Sequence, residues 1–329
     1  MQYLVTGGAG YIGSHISLRL SELGHQVTVL DDFSSGHRWA VAGRELIEVD
    51  LRELSTLREA LAGRSFDGVF HFAAKSLVGE SAERPLYYYQ NNVSGTANLI
   101  EVALESGWRD CVFSSTAAVY GNPTTPLIAE THALEPINVY GKTKRVMEQL
   151  LCDVHQQGQL NAACLRYFNA AGAAADRHRG EWHEPETHLI PNILRRAAGD
   201  DVPLTIFGDD YETPDGTCIR DYIHVLDLAD AHVAAMELLH RQGGFHTLNL
   251  GNGRGYSVME VLRACEQAVG RGISYTIGAR REGDPPRLVA DASLAAEVLG
   301  WRPACDLQSI VDSAWTWEQY RRGLAAASV

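Results

Sequence analysis

Tyr140 and Lys144 lie four residues apart, followed by Met147, Leu151 and Val154. Spacings of four and then three put residues 140, 144, 147 and 151 on one stripe of a helix, an odd place for a lysine unless something anionic needs it. The plain alternative is a lysine that lays its stem along a core tyrosine and reaches water. A free tyrosine ionises near pH ~10, so a tyrosine base near neutrality needs an adjacent positive charge to favour the phenolate. Lys144 could supply one. Upstream, the run Phe113, Ser114, Ser115, Thr116, Ala117, Ala118, Val119, Tyr120 ends an apolar strand in hydroxyls. Doubly wound folds place their ligands at that carboxyl edge of the sheet.

A second constellation opens the chain. Leu4-Val5-Thr6 runs into Gly7-Gly8-Ala9-Gly10-Tyr11-Ile12-Gly13, and Ser14 to Leu23 carries a helical pattern. Glycines between a strand and a helix allow a tight turn, close backbone approach to a pyrophosphate, and a helix N-terminus aimed at it. Val27-Thr28-Val29-Leu30-Asp31 then forms a second strand ending in a carboxylate, about twenty residues on, where a ribose 2′-hydroxyl would be held. Asp31 would repel a 2′-phosphate, so NAD is expected rather than NADP.

The elements that must position these groups follow from periodicity. Tyr3 to Thr6, Val27 to Leu30, Gly68 to Phe72, Cys111 to Ser114 and Ala162 to Phe168 read as short buried strands separated by helices. That alternation predicts an α/β, Rossmann-type doubly wound parallel sheet covered on both faces. Past residue 170 the texture becomes mixed, with a polar stretch from Asp176 to His188, a short strand at Pro203 to Phe207 and a frayed Ala-rich tail. The division expected is a cofactor domain over 1–172 and a smaller mixed α/β substrate lobe over 173–329, with a soft boundary and segments interleaved.

Length and composition bound the reading. The 329 residues, 45% hydrophobic and 21% charged, suit an ordinary globular protein. With 28 basic and 41 acidic side chains the formal charge is −13, which disfavours nucleic acid and anionic membranes as partners. An anionic ligand would need its own arginines. The start MQYLVTGG has neither a basic nor an apolar leader region, and no run is long enough to cross a bilayer, so a cytoplasmic location is expected. Six scattered cysteines without a Cys-x-x-Cys pair read as reduced thiols. Asn92-Val93-Ser94 matches a glycosylation sequon and reads as chance. His178, His183 and His188 interleave with Glu181, Glu184 and Glu186, but the fivefold spacing fits no metal motif; a solvated loop and no metal are expected.

The TGGxGxxG turn, the Ser/Thr cluster and the Tyr-x-x-x-Lys pair resemble the extended short-chain dehydrogenase/reductase superfamily. Within it the chain resembles the UDP-glucose 4-epimerase family, through His71-Phe72-Ala73-Ala74, Val78-Gly79-Glu80-Ser81, Arg166-Tyr167-Phe168-Asn169, residues 216–225 (GTCIRDYIHV) and Arg280-Arg281-Glu282-Gly283-Asp284. These cover nearly the whole chain in order.

The resemblance implies interconversion of UDP-galactose and UDP-glucose through a transient 4-keto sugar and enzyme-bound NADH, by a homodimer. It makes Tyr140 the acid/base, Lys144 its electrostatic partner and cofactor ribose ligand, and Thr116 a hydrogen-bonding partner of the reacting sugar oxygen. Around NAD it implies Gly7, Gly10, Tyr11, Ile12 and Gly13; Asp31, Asp32, Phe33, Ser34, Ser35 and Gly36; and Asp50 and Leu51 at the adenine. Phe72, Ala73, Ala74, Ser76, Asn91, Ser114 and Phe168 complete that set. For the nucleotide sugar it implies Asn169, His188, Leu189, Thr205, Ile206, Phe207, Arg220, Arg281 and Asp284, with Leu288 in the sugar pocket. The chain departs from the family in placing Ser76 where a lysine is frequent, with Lys75 one step earlier, and His188 where asparagine is common. Leu288 stands where some relatives have a large tyrosine that limits the sugar pocket; the leucine would admit an N-acetyl group. Two rival readings are a nucleotide-sugar 4,6-dehydratase, disfavoured because Ala117 and Ala118 follow Thr116 where that chemistry needs carboxylates, and an idle NAD-sensing protein of the same fold.

Overall fold

The computed structural model describes residues 1–174, 178–201, 203–281 and 284–327. Part of the Ala-rich link, together with Glu282 and Gly283, lies outside the described residues. Thirteen strands are described: β1 Gln2–Thr6, β2 Gln26–Asp31, β3 Glu45–Glu48, β4 Gly68–His71, β5 Asp110–Thr116, β6 Asn161–Tyr167, β7 Asn169–Ala171, β8 Thr205–Phe207, β9 Ile219–His224, β10 Phe245–Leu250, β11 Gly255–Ser257, β12 Thr276–Gly278 and β13 Arg287–Leu288. The helices are α1 Tyr11–Glu22, α2 Leu54–Leu61, α3 Val78–Glu83, α4 Pro85–Tyr88, α5 Gly95–Glu105, α6 Val139–Gln156, α7 Leu189–Ala197, α8 Val225–Gln242, α9 Val258–Val269, α10 Ser293–Leu299 and α11 Leu307–Ala327. The Ala-rich tail is helical as far as Ala327 rather than frayed.

The large sheet has the order β10-β6-β5-β4-β1-β2-β3, parallel at every pairing, which is the doubly wound topology the alternation predicted. Its strands are apolar on both faces because helices cover both. On one face Ile16 and Leu20 of α1 meet Leu228 and Met236 of α8 over Val5, Val29 and Phe70. On the other, Leu57, Leu61 and Leu99 pack over Leu4, Leu30 and Val69, and Met147 and Leu151 over Phe113 and Cys164. Both α8 and β10 come from the second half of the chain and return to the large sheet. Strand β9 carries the small sheet, with β11 antiparallel and β7 and β13 parallel to it.

Helix α6 is fixed to the sheet by a buried ion pair. Arg166 on β6 donates from Nε and Nη2 to the two carboxylate oxygens of Glu148 at 2.8 and 2.6 Å, with side chains 5% and 6% exposed. Ser115 donates to the same carboxylate, and Arg166 Nη1 donates to the Tyr120 hydroxyl, which donates to Asn249 of β10. Removing one partner of such a pair leaves the other charge buried and alone. Arg166→Ala should therefore lower the unfolding free energy by about 3–5 kcal/mol, read from urea denaturation.

Candidate active site

Because the parallel strands end together, Thr6, Asp31, His71, Thr116 and Tyr167 line one edge of the sheet. The glycine turn leaves β1 at this edge. Gly7 takes φ +66°, and a Cβ on Gly13 would sit 2.3 Å from the Gly7 carbonyl oxygen, so the turn closes only on glycine there. Gly10 caps α1 with no side-chain partner, and no acid stands in the first turn. The N–H groups of Tyr11, Ile12 and Gly13 thus begin a helix with no side chain among the described residues to satisfy them, the arrangement an anion binds. Ile12 leans on the core, and the Tyr11 hydroxyl donates to the Gly172 carbonyl at 2.6 Å, tying the turn to the start of the second half.

Asp31 accepts from the backbone N–H of Ala9 and of Phe33 at 2.9 and 2.8 Å. Burial raises its pKa, against the pull of those two bonds. The loop after it holds Phe33 at φ +55°, with Ser34 bonded to Asp32 and Gly36 pressed against Ala9. Ser35 is on the loop's exposed side. Lys75 Nζ donates to Ser34 Oγ at 2.6 Å, so the lysine one step before Ser76 reaches the loop after Asp31 while Ser76 is exposed. Asp50 is paired with Arg52, and the Leu51 carbonyl accepts from Asn98. Phe72 donates its N–H to Thr6, and Ala73 lies so close to Gly7 that a Cβ there would be 2.5 Å from the Ala73 nitrogen; Ala74 follows on the same loop. These residues gather at the carboxyl ends of β1, β2, β3 and β4.

On the β5 side, Lys144 is 2% exposed and donates to the Ser114 carbonyl at 2.7 Å. Its ammonium is 5.9 Å from the Tyr140 ring centre and 4.8 Å from that of Phe113. Burial lowers the Lys144 pKa to about 7, with Glu148 opposing. Burial pushes Tyr140 up to about 12, against a hydrogen bond from Thr116 that favours ionisation. The expected stripe is present: Lys144, Met147 and Leu151 are buried, with Tyr140 partly open toward the cleft. Asn138 caps α6 by accepting from the Gly141 N–H at 2.8 Å, and a Cβ on Gly141 would lie 2.5 Å from the Ala118 carbonyl oxygen. A bare backbone at 141 thus lets α6 come up to the loop after Thr116.

Sequence reasoning missed two groups here. Asn92 is fully buried in the π-helical turns from Tyr89 to Ser94; it accepts from Lys75 N–H and donates to the Lys75 carbonyl and to Thr143 Oγ1. It clamps the loop after β4 to α6, beside the predicted Asn91. The sequon match was the one signal at this position, and it concealed a structural amide. Tyr167 bonds Ser114 through its hydroxyl, which only the β5–β6 register reveals.

The nucleotide-sugar candidates lie on and around the small sheet. Asn169 donates to the Asp221 carbonyl, and Arg220 is held by the Ile219 and Pro285 carbonyls with Asp284 at 3.4 Å. Leu288 pairs with Arg220 across the ladder and packs with Phe168 against Tyr120. Arg281 stacks over Phe207, 4.1 Å from the ring centre, and Thr205 faces Thr276. Ile206 is buried in the core of the second half, so only its backbone can meet a ligand.

The loop holding His188 corrects an expectation. Its Glu181 and Glu186 carboxylates are not solvated, although Glu184, Thr187 and His188 are exposed: Trp39 and Trp317 pack at 5.3 Å, Trp182 lies against Trp39, and Trp317 donates to the Glu181 carbonyl. Under this cover the side chains of Glu181 and Glu186 are 7% and 3% exposed, converging with His183 and His188. Burial works against each charge, yet mutual attraction dominates, raising His183 to about 9, His188 further, and holding Glu186 below the usual carboxylate range. Leu189 begins α7 directly after. The physical reason the expectation failed is that the tryptophans arrive from residues far away in sequence.

The sequence model of the NAD dependent epimerase/dehydratase family matches residues 3–251. The chain belongs to that family. A UDP-glucose 4-epimerase of Rhizobium leguminosarum bv. trifolii is 49% identical over 314 residues, covering 95% of this chain and 96% of that protein. Among solved structures, the UDP-glucose 4-epimerase from Brucella ovis in complex with NAD superposes with a TM-score of 0.93 at 46% identity, over 95% of this chain and 97% of that one. The UDP-glucose 4-epimerase from Stenotrophomonas maltophila, with bound NAD and formylated UDP-arabinopyranose, gives 0.95 at 41% identity over 99% of each.

Since Gly13 has no room for a methyl group, Gly13→Ala should yield protein that loses bound dinucleotide on gel filtration, measured from the absorbance released on denaturation. Retention equal to the unsubstituted chain would contradict the packing of the turn.

Proposed function

We propose that the chain is a UDP-glucose 4-epimerase, an isomerase that inverts C4 of UDP-galactose and UDP-glucose with NAD as a resident group. The observation that carries the reading is the Thr116, Tyr140 and Lys144 cluster at the edge that also holds the glycine turn, in a chain nearly half identical to UDP-glucose 4-epimerases over almost its whole length. NAD, when bound, supplies a hydride acceptor that gives the hydride back to C4. Tyr140 takes the proton from the sugar 4-hydroxyl as C4 is oxidised and returns it on reduction. Lys144 keeps a positive charge near the phenolate, and Thr116 holds the sugar oxygen. Arg220 and Arg281 suit the diphosphate, so the 4-keto hexose can turn over while the nucleotide stays anchored.

A 4,6-dehydratase starts with the same oxidation but needs a further acid and base to expel water. Here the short turn after Thr116 begins Ala117-Ala118, which argues for epimerisation. The cofactor is held mainly by residues 1–172 and the nucleotide sugar mainly by 173–329, with α8 and β10 lent back to the large sheet. We place the enzyme in the cytoplasm, in keeping with six free thiols, and none of the described helices is long and apolar enough to cross a membrane. We assign exposed Leu86 on α4, Tyr89 in the turns after it and Val146 on α6 to the surface of a homodimer.

Purified protein with no added cofactor should interconvert UDP-galactose and UDP-glucose, and Tyr140→Phe should reduce kcat by about 10²-fold or more while bound NAD stays near its original content. An unaffected rate would remove Tyr140 from its role. Leu288 in place of a bulkier residue predicts turnover of UDP-N-acetylgalactosamine as well; activity on UDP-galactose alone would refute that.

A further inference from the structure

The Glu181, His183, Glu186 and His188 cluster has no part in the proton and hydride steps above, although His188 is also among the residues that the family resemblance gives to the nucleotide sugar. We propose that these four side chains bind one divalent cation of the zinc class, which cross-links the loop ahead of α7 where His183 lies against Tyr11 of the glycine turn.

The donor atoms all lie within 4.8 Å of one another. His183 Nδ1 is 3.2 Å from Glu181 Oε1 and 3.5 Å from Glu186 Oε2, while His188 Nδ1 is 2.8 and 2.9 Å from Glu181 Oε1 and Glu186 Oε1. A tetrahedral zinc shell with ordinary zinc–nitrogen and zinc–oxygen bonds has edges of about 3.3 Å, so an ion enters with small side-chain adjustments. Two carboxylates buried beyond nine-tenths have only these imidazoles as charged partners among the described residues. A divalent ion would neutralise both.

A second observation points the same way. His183 Nδ1 is buried and makes no hydrogen bond, although two carboxylate oxygens stand within 3.5 Å of it. Close approach without hydrogen-bond alignment is what donors sharing a central ion show, and a buried polar atom left over in this way calls for such an explanation. Glu186 Oε1 is itself oriented by the N–H groups of Thr187 and His188, the kind of outer support that metal carboxylates have. His188 is half-exposed and gives an ion its way in.

The donor set selects the ion. Two imidazoles with two carboxylates suit zinc, cobalt or nickel, whereas calcium and magnesium call for all-oxygen shells. Four protein donors close a tetrahedral shell, which makes the site structural. Its consequence runs through Tyr11, whose ring meets that of His183 at 6.3 Å and whose backbone begins α1 at the glycine turn.

The test is metal binding by the full chain with its cofactor, stripped by a chelator and titrated with ZnCl2 and, separately, CoCl2. The unsubstituted chain should take up one ion, show the intense visible absorption of tetrahedral cobalt, and melt at a higher Tm with zinc than without. His183→Ala combined with Glu186→Gln should weaken zinc binding by about 10-fold to 100-fold and lose the Tm response. His178→Asn, altering a ring that stacks on Tyr320 outside the cluster, should bind as the original. If the double variant fails to fold, stoichiometry and the cobalt spectrum of the unsubstituted chain decide. No stoichiometric ion, a weak six-coordinate cobalt spectrum, or undiminished binding by the folded double variant would overturn the proposal in favour of a protonated Glu–His ion-pair cluster. None of these readouts depends on epimerase turnover.

Discussion

An ammonium group taken out of water is costly unless the protein replaces its hydration. Lys144 accepts that cost at the end of β5, with one oriented carbonyl, Ser114, and two aromatic rings in place of solvent. Much of the surrounding construction can be understood as holding that nitrogen beside Tyr140. Asn138 starts the helix, Gly141 lets it approach the loop after Thr116, Asn92 clamps the neighbouring loop to Thr143, and Glu148 locks the next turn to Arg166. Burial lowers the Lys144 pKa to about 7, so desolvation outweighs the opposing charge of Glu148 there.

The cofactor groove rests on a simpler constraint. Parallel strands terminate at one edge, so a turn at the end of β1 and a carboxylate at the end of β2 must become neighbours. That is why the strand, glycines, helix, strand and Asp31 were legible in sequence, and why Asp31 is found bonded to the Ala9 N–H of the same turn. The joining of the halves is less local. The Tyr11 hydroxyl on Gly172 and the return of β10 to the sheet need the whole chain to be folded.

The unread parts share a cause. Strand β3, Glu-Leu-Ile-Glu, is short and flanked by acids because it is an edge strand, and β10, Phe-His-Thr-Leu-Asn-Leu, mixes polar residues into what is also an edge. Neither has the continuous apolar run that marked the inner strands. The Glu–His cluster was taken for a solvated loop because its spacing fits no helix face; burial comes from Trp39 and Trp317, more than a hundred residues away on either side. Tyr140 and Lys144 were readable for the opposite reason, since a helix brings them together by itself.

The central claim is that the residues at this edge oxidise and re-reduce one carbon without letting go of what they removed. UDP-galactose carrying deuterium at C4, incubated in ordinary water with purified protein and no added cofactor, tests it directly by NMR of the product. The account predicts UDP-glucose with the deuterium still on C4, now with inverted configuration. Loss of the label to solvent, or a 4-keto-6-deoxy product with water expelled and the deuterium moved to C6, would contradict it.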